Sequence, residues 1–447
     1  MPELQYHRGF GNHVNSEAIA GALPANGNTP QRPPYGLYAE QLSGTAFTAP
    51  RAHNQRSWLY RIRPSVMHEP FAPYSPPRVV ASFHAHSPEI EATPQQLRWD
   101  PLELPNAAAL DFVDGMATLA GAGDSQTKDG LAVHVYCCGQ SMHRKAFYNS
   151  DGDMLIVPQQ GALRIRTEFG TLDVPPLFIC VVQRGIKFSV DVVGLEEGAF
   201  ARGYICEVFK GHFELPELGP IGANGLADVK DFQTPVAAYE DVDEEWTVVN
   251  KFMSGYWQYK QGHSPFDVVA YSGNYVPYRY NLVNFNTMGS ISYGHPDPSI
   301  FTVLTCPSDT PGTAIADFVI FPPRWLVAED TFRPPYFHRN CMSELMVNLA
   351  GVYDAKESLK GGGFVPGGAS LHSMNAAHGP DAETHKKASA AELKPMKVGE
   401  GSMAIMFESA YQLATTRWAV LESGKVQSDY WKAWAGLEKH FKPPSSA

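Results

Sequence analysis

The chain has 447 residues, 44% of them hydrophobic and 18% charged, with 36 Pro, 39 Gly and a formal net charge of −11. That charge excludes a nucleic-acid backbone or an anionic membrane as partner, since both repel an acidic surface, but it leaves room for a small anionic substrate. Aromatic residues punctuated by Pro and Gly exclude a helical bundle and predict a mostly β protein of short strands joined by turns, with few helices.

Six cysteines (Cys137, Cys138, Cys180, Cys206, Cys306 and Cys341) show no CxxC spacing, which argues against a disulfide scaffold or a zinc knuckle. Cys341 is expected to be a buried, reduced thiol. The N-terminal "MPELQYHRGFGNH" has no basic region followed by an apolar core, and no apolar run reaches about 18 residues. The expectation is a cytoplasmic protein.

Residues 1–55 are rich in Gly, Pro and Asn and predict an extended arm lying on another surface, such as that of a neighbouring subunit. "SWLYRIRP" (57–64) alternates Trp58, Tyr60 and Ile62 against Leu59, Arg61 and Arg63, the period of a strand. In "FHAHSPEIE", His84 and His86 share a strand face on paper, but Pro88 interrupts the strand, so they are expected at a surface. His134, inside "LAVHVYCC", is expected to be a hydrogen-bonded core residue. His143, His212, His263, His385 and His440 have no convergent company in the sequence.

The segment 152–190, "GDMLIVPQQGALRIRTEFGTLDVPPLFICVVQRGIKFSV", has the strand, Gly turn, strand rhythm of a cupin barrel. Residues 343–379 repeat that rhythm with a long excursion. The expected architecture is a cupin-like bicupin of β-sandwich or jelly-roll barrels, divided into 1–282 and 283–447. The first half offers Asp153 and Lys187 where ligands would stand, and so lacks a metal set. Acidic "EDVDEEW" (240–246) reads as solvated surface. In "SDYWKAWAGLEKHF", Tyr430, Trp434, Leu437 and Phe441 recur at helical spacing, which predicts a packing helix capped by Ser428 or Asp429.

The C-terminal third concentrates the chemistry. "SYGHPDPSIFTVLT" offers His295, "FRPPYFHRNCMSE" offers His338 and Glu344, and "PGGASLHSMNAAHGPD" offers His372 and His378. Six residues separate His338 from Glu344, roughly 20 Å along a strand and about 120° around a helix, so a shared ion requires a turn between them. Two imidazoles and one carboxylate form the facial set of non-haem Fe(II) oxygenases, leaving open positions for substrate and O₂. Zinc hydrolases use two His and a Glu as well. The donor set alone does not choose the metal.

These strings, together with the N-terminal "HRGFGNH" and "PYGLYAEQLSGTAFTAPR", closely resemble the homogentisate 1,2-dioxygenase family along essentially the whole chain. The resemblance implies Fe(II) held by His338, Glu344 and His378, with His295 as proton acceptor. It also implies substrate contacts from Tyr353 and His378, and places His372 behind the ligands or facing the substrate. Implied too are homogentisate and O₂ as substrates, maleylacetoacetate as product in tyrosine and phenylalanine catabolism, and a homo-oligomer, a hexamer built of trimers. Arg333 and Arg339 stand close enough in sequence to meet the substrate acetate or to be structural. Competing readings are a related ring-cleaving cupin acting on gentisate or an aminophenol, a metal-dependent isomerase, and a storage bicupin, which would need no stoichiometric iron.

Overall fold

The computed structural model describes residues 3–25, 32–75, 78–80, 82–327, 329, 331–353 and 363–444. The chain is mostly β, as its composition predicts. Among the described residues there is one α-helix, Ala382–Ser389, capped where the Asp381 side chain accepts the Thr384 N–H.

Three sheets form the bulk. A nine-stranded sheet has at its centre Phe178–Val182, Asp153–Gln160, Ala201–Val208, Asp129–Cys138 and Met116–Asp124, in that spatial order. Its two faces bury different cores. Met154, Ile156 and Ile205 pack with Phe147, Ile165 and Phe188 of a seven-stranded sheet. Leu155, Val157 and Cys206 pack with Leu345, Val347, Ile405 and Phe407 of a six-stranded C-terminal sheet. A strand covered on both sides has no polar face, which is why "LAVHVYCC" and "MLIV" read as continuous apolar runs. The cupin-like rhythm is visible in Asp153–Gln160, the turn at Gly161 and Ala162–Thr167. Gly161 has φ +75, and a Cβ there would meet that of Ala201 at 2.9 Å, so glycine suits both the turn and the packing.

The two halves exchange edge strands. Leu97–Trp99 pairs with Ala369–His372 in the C-terminal sheet, while Ala414–Thr415 pairs with Met116–Asp124 in the nine-stranded sheet. The N-terminal arm lies on the body of its own chain: Tyr6–Arg8 pairs with Gln233–Pro235, and Val14–Glu17 with Val268–Gly273. Unpaired backbone at those sheet edges gives the arm its hydrogen bonds. Arg61, 1% exposed, contacts Glu40, Glu168 and Asp267 at 2.9, 2.9 and 2.8 Å and ties the strand Tyr38–Ser43 to the body. Leaving such a buried cluster one partner short costs on the order of 3–5 kcal/mol.

Other expectations fare unevenly. The strand over 57–64 is present as Arg56–Arg61, paired on both sides. His134 is a core residue, bonded to Thr118 Oγ1 at 2.9 Å and Glu207 Oε2 at 3.0 Å. His84 and His86 are exposed. The acidic run is a surface whose charges meet cations, among them Glu244 with Arg144 and Glu245 with Lys260. The C-terminal helix is not formed: Tyr430–Trp434 makes a short 3-10 turn, Asp429 provides no side-chain cap, and Leu437 and Phe441 are exposed. A helical stripe this short is marginal unless a surface receives it, and among the described residues Leu437 and Phe441 stay 40% and 71% exposed. His212, read as isolated, is instead bound to Asp153, as described below.

Candidate metal centre

In the six-stranded sheet, Ser343–Ala350 runs between Met403–Ser409 and Ala369–His372. Directly opposite residues share a face. Glu344 therefore lies in a polar row across one end of the sheet, with His372 on one side, Glu408 on the other, and Asp317 and Thr305 beyond Glu408. The neighbours of Glu344 along its own strand, such as Leu345, go into the core.

His338 reaches Glu344 because the chain turns between them. The Asn340 side chain accepts the Met342 N–H at 3.0 Å, an Asx-type turn that swings the segment into the strand. Backbone then joins the two histidines: His338 N–H donates to the His378 carbonyl at 2.9 Å, and His378 N–H to the His338 carbonyl at 3.0 Å. This two-way bridge needs close approach. A Cβ on Gly379 would lie 2.6 Å from the Phe337 ring and 2.9 Å from its Cα, so the glycine of "AAHG" lets the segments meet. Asn375, in the left-handed region at φ +62, bends the six-residue path from His372 to His378. The loop before His338 is backed by His385 of the helix, whose ring lies 5.4 Å from Phe332 and 5.3 Å from Phe337.

His338, Glu344 and His378 each present a donor atom within 4.8 Å of the other two, the one such group among the described residues. His338 Nε2 is 3.6 Å from Glu344 Oε1, and His378 Nε2 is 3.1 Å from Glu344 Oε2. The other ring nitrogens are occupied: His338 Nδ1 bonds the Tyr336 carbonyl at 2.7 Å, and His378 Nδ1 the Ala376 carbonyl at 2.9 Å. A carbonyl can only accept, so each Nδ1 carries its hydrogen and each Nε2 is the atom turned toward the carboxylate. The donors present therefore fit a divalent metal with two neutral imidazoles and one carboxylate.

The electrostatics agree. Burial opposes the charge on Glu344, yet the His338 and His378 imidazoles beside it outweigh burial and hold the carboxyl far below the usual carboxylate range. The nearby Glu344 carboxylate raises His338. Glu408 goes the other way: burial pushes it up to about 7, the Glu344 and Asp317 charges adding to the effect and the Asn340 hydrogen bond opposing it.

The remaining candidates surround this group. His372, 1% exposed, stacks on His378 with ring centroids 4.1 Å apart and planes at 8°, and its Nε2 meets the Tyr430 hydroxyl at 3.0 Å. His295 is half-buried; its Nδ1 meets the Pro296 carbonyl at 2.9 Å. Its ring lies edge-on to Tyr336 at 5.3 Å, and Tyr336 lies 5.8 Å from His338. Tyr353 packs on Phe321 and Phe364, with ring centroids 5.7 and 5.9 Å away. Arg333 donates to the Lys394 carbonyl, while Arg339 is exposed. Cys341 is exposed rather than buried, because the turn directs Asn340 inward and leaves its neighbour at the surface.

Sequence reading missed Asn340, Glu408, Asp317, Tyr336 and Tyr430. A signal existed for two of them: Glu408 in "MAIMFES" and Asp317 in "AIADFVIF" are lone carboxylates inside buried apolar strands, where an acid requires a partner. The first half supplies a contrast. Asp153 opens its strand much as Glu344 does, but Arg184 Nε contacts it at 2.7 Å and His212 Nδ1 at 2.6 Å. Burial opposes the charge of Asp153, but Arg184 and His212 prevail and hold its carboxyl at about 2. An internal guanidinium there meets the carboxylate charge that a metal would meet beside Glu344.

The family model described as homogentisate 1,2-dioxygenase N-terminal matches residues 5–282, and the one described as homogentisate 1,2-dioxygenase C-terminal matches residues 283–441. A Caenorhabditis elegans relative named homogentisate 1,2-dioxygenase is 55% identical over 444 residues, covering 99% of each chain. Relatives of the same name from Mus musculus and Homo sapiens are each 54% identical over 451 residues, covering 100% of this chain and 98% of theirs. Matched from end to end by both family models and by relatives of nearly equal length, the chain belongs to the homogentisate 1,2-dioxygenase family.

Proposed function

We propose that His338, Glu344 and His378 hold one Fe(II), and that this centre serves the reaction of the family: the chain is a dioxygenase that opens the aromatic ring of homogentisate with O₂. The product is maleylacetoacetate, a step of tyrosine and phenylalanine breakdown. The observation that carries the metal assignment is the pair of imidazoles whose Nδ1 atoms are tied to backbone carbonyls, leaving Nε2 and one carboxylate to converge within 4.8 Å. Fe(II), when bound to two His and one carboxylate, supplies open coordination positions for substrate and O₂ and the redox capacity to couple them.

The chain's residues then have distinct tasks. His295 takes the proton of the ring hydroxyl beside the scissile bond: its Nδ1 hydrogen is committed to the Pro296 carbonyl, so Nε2 is the basic atom. Tyr353 orients the substrate. His378 serves as ligand and substrate contact together, and His372, stacked behind it, fixes its plane and lines the same pocket. The chain divides functionally at 282/283, where the two family models meet.

The active form is a homo-oligomer, a hexamer of two trimers. Supporting this, large exposed apolar side chains adjoin the site residues in sequence: Tyr293 near His295, Tyr336 and Phe337 before His338, and Val352 before Tyr353. Subunit contact there would cover them and exclude water from the centre. No helix among the described residues is long and apolar enough to cross a membrane. The proposed location is the cytoplasm, where the chain's unpaired cysteines stay reduced.

The test is metal reconstitution. Metal-free protein is loaded anaerobically with Fe(II), Mn(II) or Zn(II), then given homogentisate and O₂. Oxygen uptake with ring-opened product is expected from the Fe(II) form alone, and equal turnover by the Zn(II) form would overturn the assignment.

A further inference from the structure

Glu344 and Glu408 are direct cross-strand neighbours, and Asp317 follows one strand further on. Adjacent carboxylates on one sheet face repel each other, more so where burial removes water's screening. One side chain intervenes. Asn340 Nδ2 donates to Glu344 Oε1 at 2.9 Å and to Glu408 Oε1 at 2.7 Å. Its Oδ1 accepts the Met342 N–H at 3.0 Å, and its backbone carbonyl accepts the Asn375 N–H at 2.7 Å.

A primary amide offers two N–H donors and one acceptor oxygen, and here all are used. The orientation of the amide is fixed as well, because the reverse assignment would press Oδ1 against two carboxylate oxygens. Aspartate has the same shape and no donor to give. Through these bonds Asn340 joins three pieces: the turn between His338 and Glu344, the strand Met403–Ser409, and the loop that carries His378.

We propose that Asn340, anchored by Glu408, is a positioning residue for the metal centre: it grips Glu344 by Oε1 so that Oε2 stays turned toward His378 and the metal. The proposal rests on the ligand assignment above. Glu408 contributes as the acceptor that keeps the Asn340 amide in place, and its own charge is secondary. Outer partners of this kind hold ligands in their binding geometry, and losing one typically weakens metal affinity by about 10- to 100-fold.

The experiment uses the full chain loaded with Fe(II) and follows two quantities: the rate at which a ferrous chelator removes the iron, and the melting temperature of the metal-free protein. Asn340→Ala removes both donors without adding charge, and Asn340→Asp removes them while keeping the shape. Both should lose iron about 10- to 100-fold faster than the parent. Glu408→Gln keeps an acceptor for Asn340 and should stay within about threefold of the parent, whereas Glu408→Leu should lose iron about as fast as Asn340→Ala. The metal-free melting temperatures of the two Glu408 variants should agree with each other, which separates ligand positioning from general destabilisation. Iron loss at the parental rate in Asn340→Ala would overturn the proposal. So would equal behaviour of Glu408→Gln and Glu408→Leu, a comparison that decides the matter even if the Asn340 variants do not fold. Failure of the underlying ligand assignment looks different: Glu344→Ala would then keep its iron.

Discussion

Replacing Glu344 with Ala is expected to strip the chain of iron and to cut homogentisate-dependent oxygen uptake by at least about 10³-fold. Two effects combine. The variant loses one donor of three, and it loses the only carboxylate of the group, whose charge offsets half that of a divalent ion. The imidazoles would remain in place, because the His338 and His378 backbones are bonded to each other and do not depend on the carboxylate. A fold defect is not expected either. Removing Glu344 takes an acid away from Glu408, which that acid helps to push up to about 7. Iron analysis, an oxygen electrode and circular dichroism on one preparation check the three statements. A folded Glu344→Ala protein that retains one iron per chain would refute Glu344 as a ligand.

His295→Ala should behave differently, keeping its iron while turnover falls by about 10²- to 10⁴-fold, the range a positioned base contributes. The contrast follows from placement. His295 stands beyond Tyr336, outside the group of three donors, so the centre does not need it to hold metal. Its Nδ1 is committed to the Pro296 carbonyl, which leaves Nε2 free to serve as the proposed proton acceptor. Glutamine at 295 can hydrogen-bond but cannot take a proton at neutral pH, so it should restore little of the rate. If iron and rate both survive the substitution unchanged, another group is the base.

The candidate centre was legible in the sequence to an unusual degree, because its residues sit in short, dense strings. The need for a turn between His338 and Glu344 followed from arithmetic on strand and helix geometry, and the Asn340 turn meets that need. What the strings could not convey was pairing across the sheet. Glu408 lies 64 residues beyond Glu344 in the chain, and their adjacency is a property of register alone. The same limit hid the company of His212, which meets Asp153 across 59 residues of sequence.

The fold shows a similar division. Apolar runs and Gly turns identified the buried strands Asp129–Cys138, Asp153–Gln160, Phe178–Val182 and Ala201–Val208, since burial on two faces writes itself into composition. They did not reveal that the central sheet serves two cores, nor that the halves trade edge strands at Leu97–Trp99 and Ala414–Thr415. The C-terminal stripe of Tyr430, Trp434, Leu437 and Phe441 misled for the opposite reason. Its period was sound, but Tyr430 is drawn into the site by His372, Trp434 bonds the Pro380 carbonyl at 3.1 Å, and the last two side chains are left at the surface. Local period is a statement about a helix only when a surface waits to receive its face.

The two halves treat the acid that opens a central strand differently, and the difference bears on where a metal could bind. Each begins a central strand with an acid at the same end. In the first, Arg184 and His212 satisfy Asp153 from within the protein, and nothing is left to bind. In the second, the surroundings of Glu344 are two imidazoles and an amide, with no fixed cation among its contacts.

The most direct measurement is diffraction from crystals of Fe(II)-loaded protein on either side of the iron absorption edge. A single anomalous peak per chain is predicted, enclosed by Nε2 of His338, Nε2 of His378 and the carboxylate of Glu344. Iron bound elsewhere in the chain, or no peak at that position in protein that turns over homogentisate, would contradict it.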